Sequence, residues 1–381
     1  MIYFIYFLIL VAFVDTFSQL PIMSPYAQGL GASSLMIGII VGMYSFTNIA
    51  GNMVAGYVID RKGIKRILSA GLLVTGVILT LYVLVNSPGA LLVVRFFHGL
   101  SGGLLVPAAF TYLANHNAER QKGKVMALSG AGVGLASIIG PAYGGIISSN
   151  FGADMVFVTI GFLMIVTAFL AYFVLPEKQK TPSENVDGGL HIGSFAALFK
   201  RRGLLLSYAG AFSLMFSQGI LAYALPLRVT ELGFDSSLSG ILLSTFAIIA
   251  TLIFILPTNR LYDRLPYAPT MMTGIVILGL ALALLEIVTV KGLMFGVMAF
   301  YGVGFAMIFP PMTALVASNA GTAERGKAYG LFYGFFSLGV VAGAFVTGLF
   351  AETGFGVFLV GTVWLLISVL GMWLVYRRRV E

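Results

Sequence analysis

The chain has 381 residues, 59% hydrophobic and 9% charged, with a net charge of +8 and no cysteine. With a mean hydropathy of +0.99, that composition excludes a soluble globular domain, and the missing thiols exclude disulfides and Cys-ligated metals. The three histidines, His98, His116 and His191, have no ligand spacing, and the sequence contains no GxxxxGK[ST] phosphate loop, so no metal, cofactor or enzymatic activity is expected.

Apolar runs of about 20 residues recur along the chain, each long enough to cross a hydrocarbon core of ~30 Å as a helix. They predict an all-α membrane protein with spans at 2–22, 35–58, 66–86, 89–114, 123–148, 153–175, 203–229, 237–262, 269–290, 293–318, 326–350 and 355–376. The first run starts at Ile2 and passes Asp15 with no small-residue cleavage site, so it reads as a span and not as a signal peptide. The hydrophilic stretch 176–202 divides the chain into a six-helix bundle over 1–175 and a second over 203–381, with a linker between them. Nineteen of the 22 Lys and Arg residues lie in the loops after even-numbered spans, in the linker or in the C-terminal tail. This places those loops and both termini in the cytoplasm, in a multi-pass protein of the cell membrane. The positive charge is therefore topological, and nucleic acid is not an expected partner.

The two halves repeat. LGASSLMIG (30–38) matches LGFDSSLSG (232–240), Pro107 matches Pro310, and AERQKGK (118–124) matches AERGK (323–327), all at an offset near 203. Six helices separate the copies, an even number, so both have the same orientation in the membrane. Parallel repeats of this kind predict a site at their interface near mid-membrane, reached alternately from either side. One chain holds the whole arrangement, so a monomer is expected.

Four regions carry the candidate chemistry. In the first span, Asp15 is a carboxylate placed deep in the membrane, with Gln19 one turn away on the same face. Burial disfavours the charged carboxylate and a neighbouring cation favours it, so a change of access alters its hold on a proton. Between spans two and three runs GYVIDRKGIKR (56–66), where Gly56 permits close helix approach and Asp60 meets a helix end or a cation. This loop resembles the signature of the major facilitator superfamily at Gly56, Asp60, Arg61, Gly63, Lys65 and Arg66. With twelve spans, a central linker and the repeat, the resemblance covers the whole chain. It implies the two-bundle fold of that family and a charge latch between halves that breaks during transport. The second copy, NRLYDRLP, keeps Asp263 and Arg264 but has Asn259 in place of the glycine, which predicts a weaker latch there.

The fourth span contains Arg95 and His98, a turn apart on one face with Gly99 and Gly102. A mid-membrane cation needs a partner or a wet cavity. The expectation is that Arg95 faces Asp15, as its electrostatic partner in proton coupling or as a permanent structural tie. His98 either titrates or serves as a neutral hydrogen-bonding group. The fifth span, ALSGAGVGLASIIGPAYGGIISS, has small residues four apart at Gly130 and Gly134 and again at Gly140 and Gly144, with Pro141 and Gly145. Gly-Pro-x-x-Gly-Gly resembles the antiporter signature of the drug:proton antiporters of the superfamily, the multidrug-efflux branch, although Ala127 and Ala136 stand where the fuller pattern has glycine. Substrate-cavity candidates are Gln19, Gln218, Tyr223, Tyr301, Phe305, Phe332 and Tyr333, polar or aromatic groups that suit amphiphilic or cationic molecules.

The expected function is export of small amphiphilic molecules in exchange for protons, with membrane lipid as the surrounding partner. Alternatives are an exporter of one metabolite, sugar or lipid precursor, an uptake symporter, or a membrane receptor or scaffold that transports nothing. The buried charges disfavour the last of these.

Overall fold

A computed structural model of the chain describes residues 2–116, 122–176, 198–256, 265–321 and 324–377. Among them are fourteen α-helices of seven residues or more and no β-strand. The first half holds α1 (Ile2–Ser18), α2 (Met23–Gly29), α3 (Ser34–Lys62), α4 (Ile64–Leu81), α5 (Pro88–Gly102), α6 (Leu105–His116), α7 (Lys122–Phe151) and α8 (Ala153–Val174). The second holds α9 (Arg202–Glu231), α10 (Ser237–Ile255), α11 (Tyr267–Ile287), α12 (Lys291–Asn319), α13 (Arg325–Phe350) and α14 (Val357–Arg377). Among the described residues eleven spans are long and apolar enough to cross a membrane, with α5 and α6 together forming one (Pro88–Leu113), or twelve when α1 and α2, bent by 45° at their junction, also count as one.

Local sequence sets the ends of these elements. Ser33 caps α3 through Oγ, which accepts from the Met36 amide at 3.4 Å. Ser87 does the same for α5 at 3.3 Å, with Pro88 in the first turn, where its missing N–H costs nothing. Gly63 alone separates α3 from α4. Its φ of +86° lies where a side chain is strained, which is a backbone reason for a glycine at this place in the loop signature. The fourth predicted span is broken at Gly103 and Leu104, between α5 and α6.

Two compact units form. The first comprises Met1–Asn185 with Leu225–Ser244, the second Val186–Ala224 with Thr245–Glu381. The first unit thus takes in chain from beyond the linker, and the reason is close contact with α7. A Cβ on Gly240 of α10 would lie 3.1 Å from Gly145 Cα and would strike the Pro141 carbonyl. Ser149 donates to the Asp235 carboxylate at 2.7 Å, and Ser244 to the Ile138 carbonyl at 2.6 Å. On α7, Gly140 and Gly144 face α1 instead. A Cβ at Gly140 would lie 2.7 Å from Phe17 Cβ, and one at Gly144 would collide with the Ser18 carbonyl. The second unit repeats this contact: Gly339 and Gly343 of α13 lie against the Phe212 and Phe216 carbonyls of α9. At Gly130 a Cβ would meet nothing within 4 Å.

Candidate functional site

The first unit encloses a polar cluster at the bend between α1 and α2. Asp15, Gln19, Arg95 and His98 are all buried, at 0%, 2%, 6% and 0% exposure. Gln19 lies one turn beyond Asp15 and donates from Nε2 to Asp15 Oδ1 at 2.7 Å. Its Oε1 accepts from Arg95 Nη1, also at 2.7 Å. The guanidinium further donates to the Ile40 and Val41 carbonyls of α3 and lies 5.1 Å from the centre of the Tyr44 ring. His98 Nε2 sits 3.1 Å from Asp15 Oδ2, and Nδ1 sits 3.0 Å from the Tyr82 hydroxyl.

The direct partner of Asp15 is therefore His98, where Arg95 was expected, and Arg95 joins through Gln19. The physical reason is reach. The Arg95 donors are engaged by two α3 carbonyls and the Gln19 amide, while His98, a turn further along α5, presents its ring edge to the carboxylate. Gln19, read from the sequence as cavity lining, is the bridge between acid and cation.

The centre of this cluster has hydrogen-bond partners for either protonation state of Asp15. With Asp15 ionised, His98 Nε2–H donates to Oδ2 and the Tyr82 hydroxyl donates to Nδ1. With Asp15 protonated, its O–H donates to Nε2 and Nδ1–H donates to Tyr82. Asp15 and His98 keep hydrogen-bond partners in both states. Sequence reasoning missed Tyr82 and Tyr44. Tyr82 stacks on Phe157 with ring centres 4.2 Å apart, and the Tyr44 hydroxyl pairs with Thr16 at 3.0 Å. They come from other helices, at separations that leave no local pattern.

The remaining candidates are dispersed. Arg61, Lys62 and Arg66 are exposed at the junction of α3 and α4 beside Gly63, and Lys65 lies 5.2 Å over the Tyr172 ring. Gly56 and Asp60 fall within α3, but their side chains lie outside the described residues, as do Asp263 and Arg264 entirely. In the second unit, Tyr223, Tyr301 and Phe332 are buried, Gln218 and Phe305 half-buried, and Tyr333 59% exposed. Tyr301 pairs with the Ser217 hydroxyl at 2.6 Å. Glu286 accepts from the Phe358 amide at 3.0 Å and so caps the first turn of α14. No group of three or more metal-ligating side chains occurs among the described residues.

Long apolar helices in repeated units, one enclosing a carboxylate, an imidazole and a guanidinium, define a polytopic membrane transport protein. The sequence profile of the Major Facilitator Superfamily matches residues 5–216 and 207–381, and the chain belongs to that family. It is 27% identical over 344 residues to the uncharacterized MFS-type transporter MJ1560 of Methanocaldococcus jannaschii, covering 87% of this chain and 86% of that one. It is 26% identical over 374 residues to the multidrug resistance protein MdtG of Escherichia coli O9:H4 (strain HS), covering 94% and 90%. Its fold matches the inward-facing, unoccupied crystal structure of a bacterial homolog of the human lysosomal transporter Spinster. The TM-score is 0.82 at 14% identity, over 99% of this chain and 96% of that one.

Proposed function

We propose that this transporter exports small amphiphilic molecules in exchange for protons, with the Asp15–His98 pair as the proton site. The observation that carries the reading is the buried carboxylate against the imidazole at 3.1 Å, both without solvent exposure. Buried ionisable groups in a membrane bundle are costly, and a proton carrier is the use that justifies them. Arg95 sets the field at the pair through Gln19, and the glycines of α7 let that helix lie directly on the α1 bend. The loop from Gly56 to Arg66, with Asp60, acts as the gate on the cytoplasmic side. The name of MdtG supports drug-like cargo, as do the aromatic groups of the second unit, Tyr301, Phe305, Phe332 and Tyr333.

The test is transport in proteoliposomes carrying an imposed pH gradient, with a panel of amphiphilic cations beside metabolites. Movement of cargo opposite to the proton gradient supports antiport. Movement with the gradient makes the protein a symporter, and transport indifferent to pH removes the proton role from Asp15 and His98.

A further inference from the structure

One pair of helices meets backbone on backbone in the first unit and through side chains in the second, where Thr362 donates to the Gly279 carbonyl at 2.9 Å. Helices α4 and α8 correspond through the repeat to α11 and α14. Gly76 draws α4 onto α8: a Cβ there would lie 2.7 Å from Ile165 Cγ1 and 2.8 Å from the Gly161 carbonyl. Its counterpart 203 residues on, Gly279, would place a Cβ 3.7 Å from Leu365 Cβ and 3.8 Å from the Thr362 carbonyl, ordinary contacts. Between α11 and α14 a groove of about 490 Å³ runs toward the α14 C-terminus, lined by Met272, Thr273, Leu366, Leu370 and Trp373 among others. Leu366, Leu370 and Trp373 are 46%, 58% and 42% exposed, so the groove opens on the surface that meets acyl chains. At its end Arg377 holds its guanidinium carbon 5.2 Å from the Trp373 ring centre. A cation on an aromatic at the end of a spanning helix belongs at the headgroup level. The first unit has the same device, Lys65 over Tyr172, but there α4 and α8 are in close contact at Gly76 and Gly161.

We propose that the α11–α14 groove is a binding site for an anionic phospholipid of the leaflet facing the cation-rich loops. One acyl chain lies along Met272, Leu366 and Leu370, against the face of Trp373. The phosphate takes the Arg377 guanidinium, whose planar fork suits two phosphate oxygens. The charge is what selects the lipid, since the groove itself is apolar and accepts any chain. The proposal is independent of cargo and of proton coupling.

The experiment is native mass spectrometry of the full chain released from detergent with phosphatidylglycerol or phosphatidylcholine added. Phosphatidylglycerol should be retained about fivefold better, the worth of one cation near a membrane surface. Arg377→Gln should reduce it to the phosphatidylcholine level, and Thr273→Trp, which fills the groove, should reduce both lipids. Lys65→Gln should leave retention unchanged. Equal retention of the two lipids by the unaltered protein overturns the proposal. So does undiminished phosphatidylglycerol binding in both groove variants, or a loss in Lys65→Gln equal to that in Arg377→Gln, which would indicate diffuse surface charge. Both groove positions are exposed, and an unchanged melting temperature confirms that the variants fold.

Discussion

At position 15 the first copy of the repeat carries a carboxylate, and 203 residues later the second carries the amide of Gln218. The same offset relates His98 to Tyr301 and Arg95 to the buried Met298. In the first unit acid, imidazole and guanidinium form one connected set with every central group partnered. In the second, Tyr301 pairs with a serine hydroxyl, and Gln218 Nε2 is buried with no acceptor among the described residues. The helix scaffold is duplicated down to the glycine contacts of α7 on α1 and α13 on α9, yet its polar chemistry is not. Ionisable groups in a membrane interior need a complete set of partners, so such a set is built once or not at all. A neutral copy leaves its polar and aromatic groups to a different task, which we assign to cargo.

That contrast can be broken by making the first copy resemble the second. Asp15→Asn, which reproduces the amide of Gln218, should reduce gradient-driven export to the passive level while cargo exchange across vesicles continues. Uphill export by this variant would move the proton site elsewhere. His98→Leu should leave the Asp15 carboxylate and the Tyr82 hydroxyl without their partner, destabilising the protein by about 3 kcal/mol in a detergent melt. A change below ~0.5 kcal/mol would mean that the 3.1 Å contact contributes little.

The double variant Asp15→Asn with Arg95→Gln sharpens the comparison, because it removes both charges and leaves neither unopposed. Thermal stability should return close to that of the unaltered protein, while proton-driven export stays absent. If both return, the charges only tie α1 to α5. The smallest effect is expected in the second copy. Tyr301→Phe removes one neutral hydrogen bond and should cost about 1 kcal/mol, with export changed by no more than about twofold when measured beside the first-copy variants. Loss of proton coupling in that variant would erase the division of labour between the copies.

Much of the site was visible locally. Asp15 and Gln19 are four apart, and Arg95 and His98 three apart, so each pair shares a helix face wherever the helix lies. Gly63 could be singled out because a sharp reversal between two apolar runs needs a residue that tolerates positive φ. The α1–α2 bend had a signal in Pro21, inside the first predicted span, whereas the interruption at Gly103 had none, since Gly103 is one of several small residues in its helix. Tyr82 is also beyond local reading. Its hydroxyl meets His98 sixteen residues away only because α4 and α5 pack side by side.

By itself the sequence determined the membrane class, the doubled six-span plan, the loop signature and a short list of buried ionisable groups. These follow from apolar length, charge placement and spacing along one helix, quantities that need no neighbour. The tertiary structure alone decided which groups meet. Whether Arg95 or His98 reaches Asp15 depends on a shift of about one helical turn, ~5.4 Å, between α1 and α5. That shift is set by packing, for instance by Gly99 lying against Thr47 and the Tyr44 carbonyl of α3. The looser approach of α11 to α14 is likewise a matter of the side chains opposite Gly279, Thr362 and Leu365. Periodicity places a residue on a face of its own helix, but the depth and rotation of one helix against another are fixed by the side chains that interlock between them.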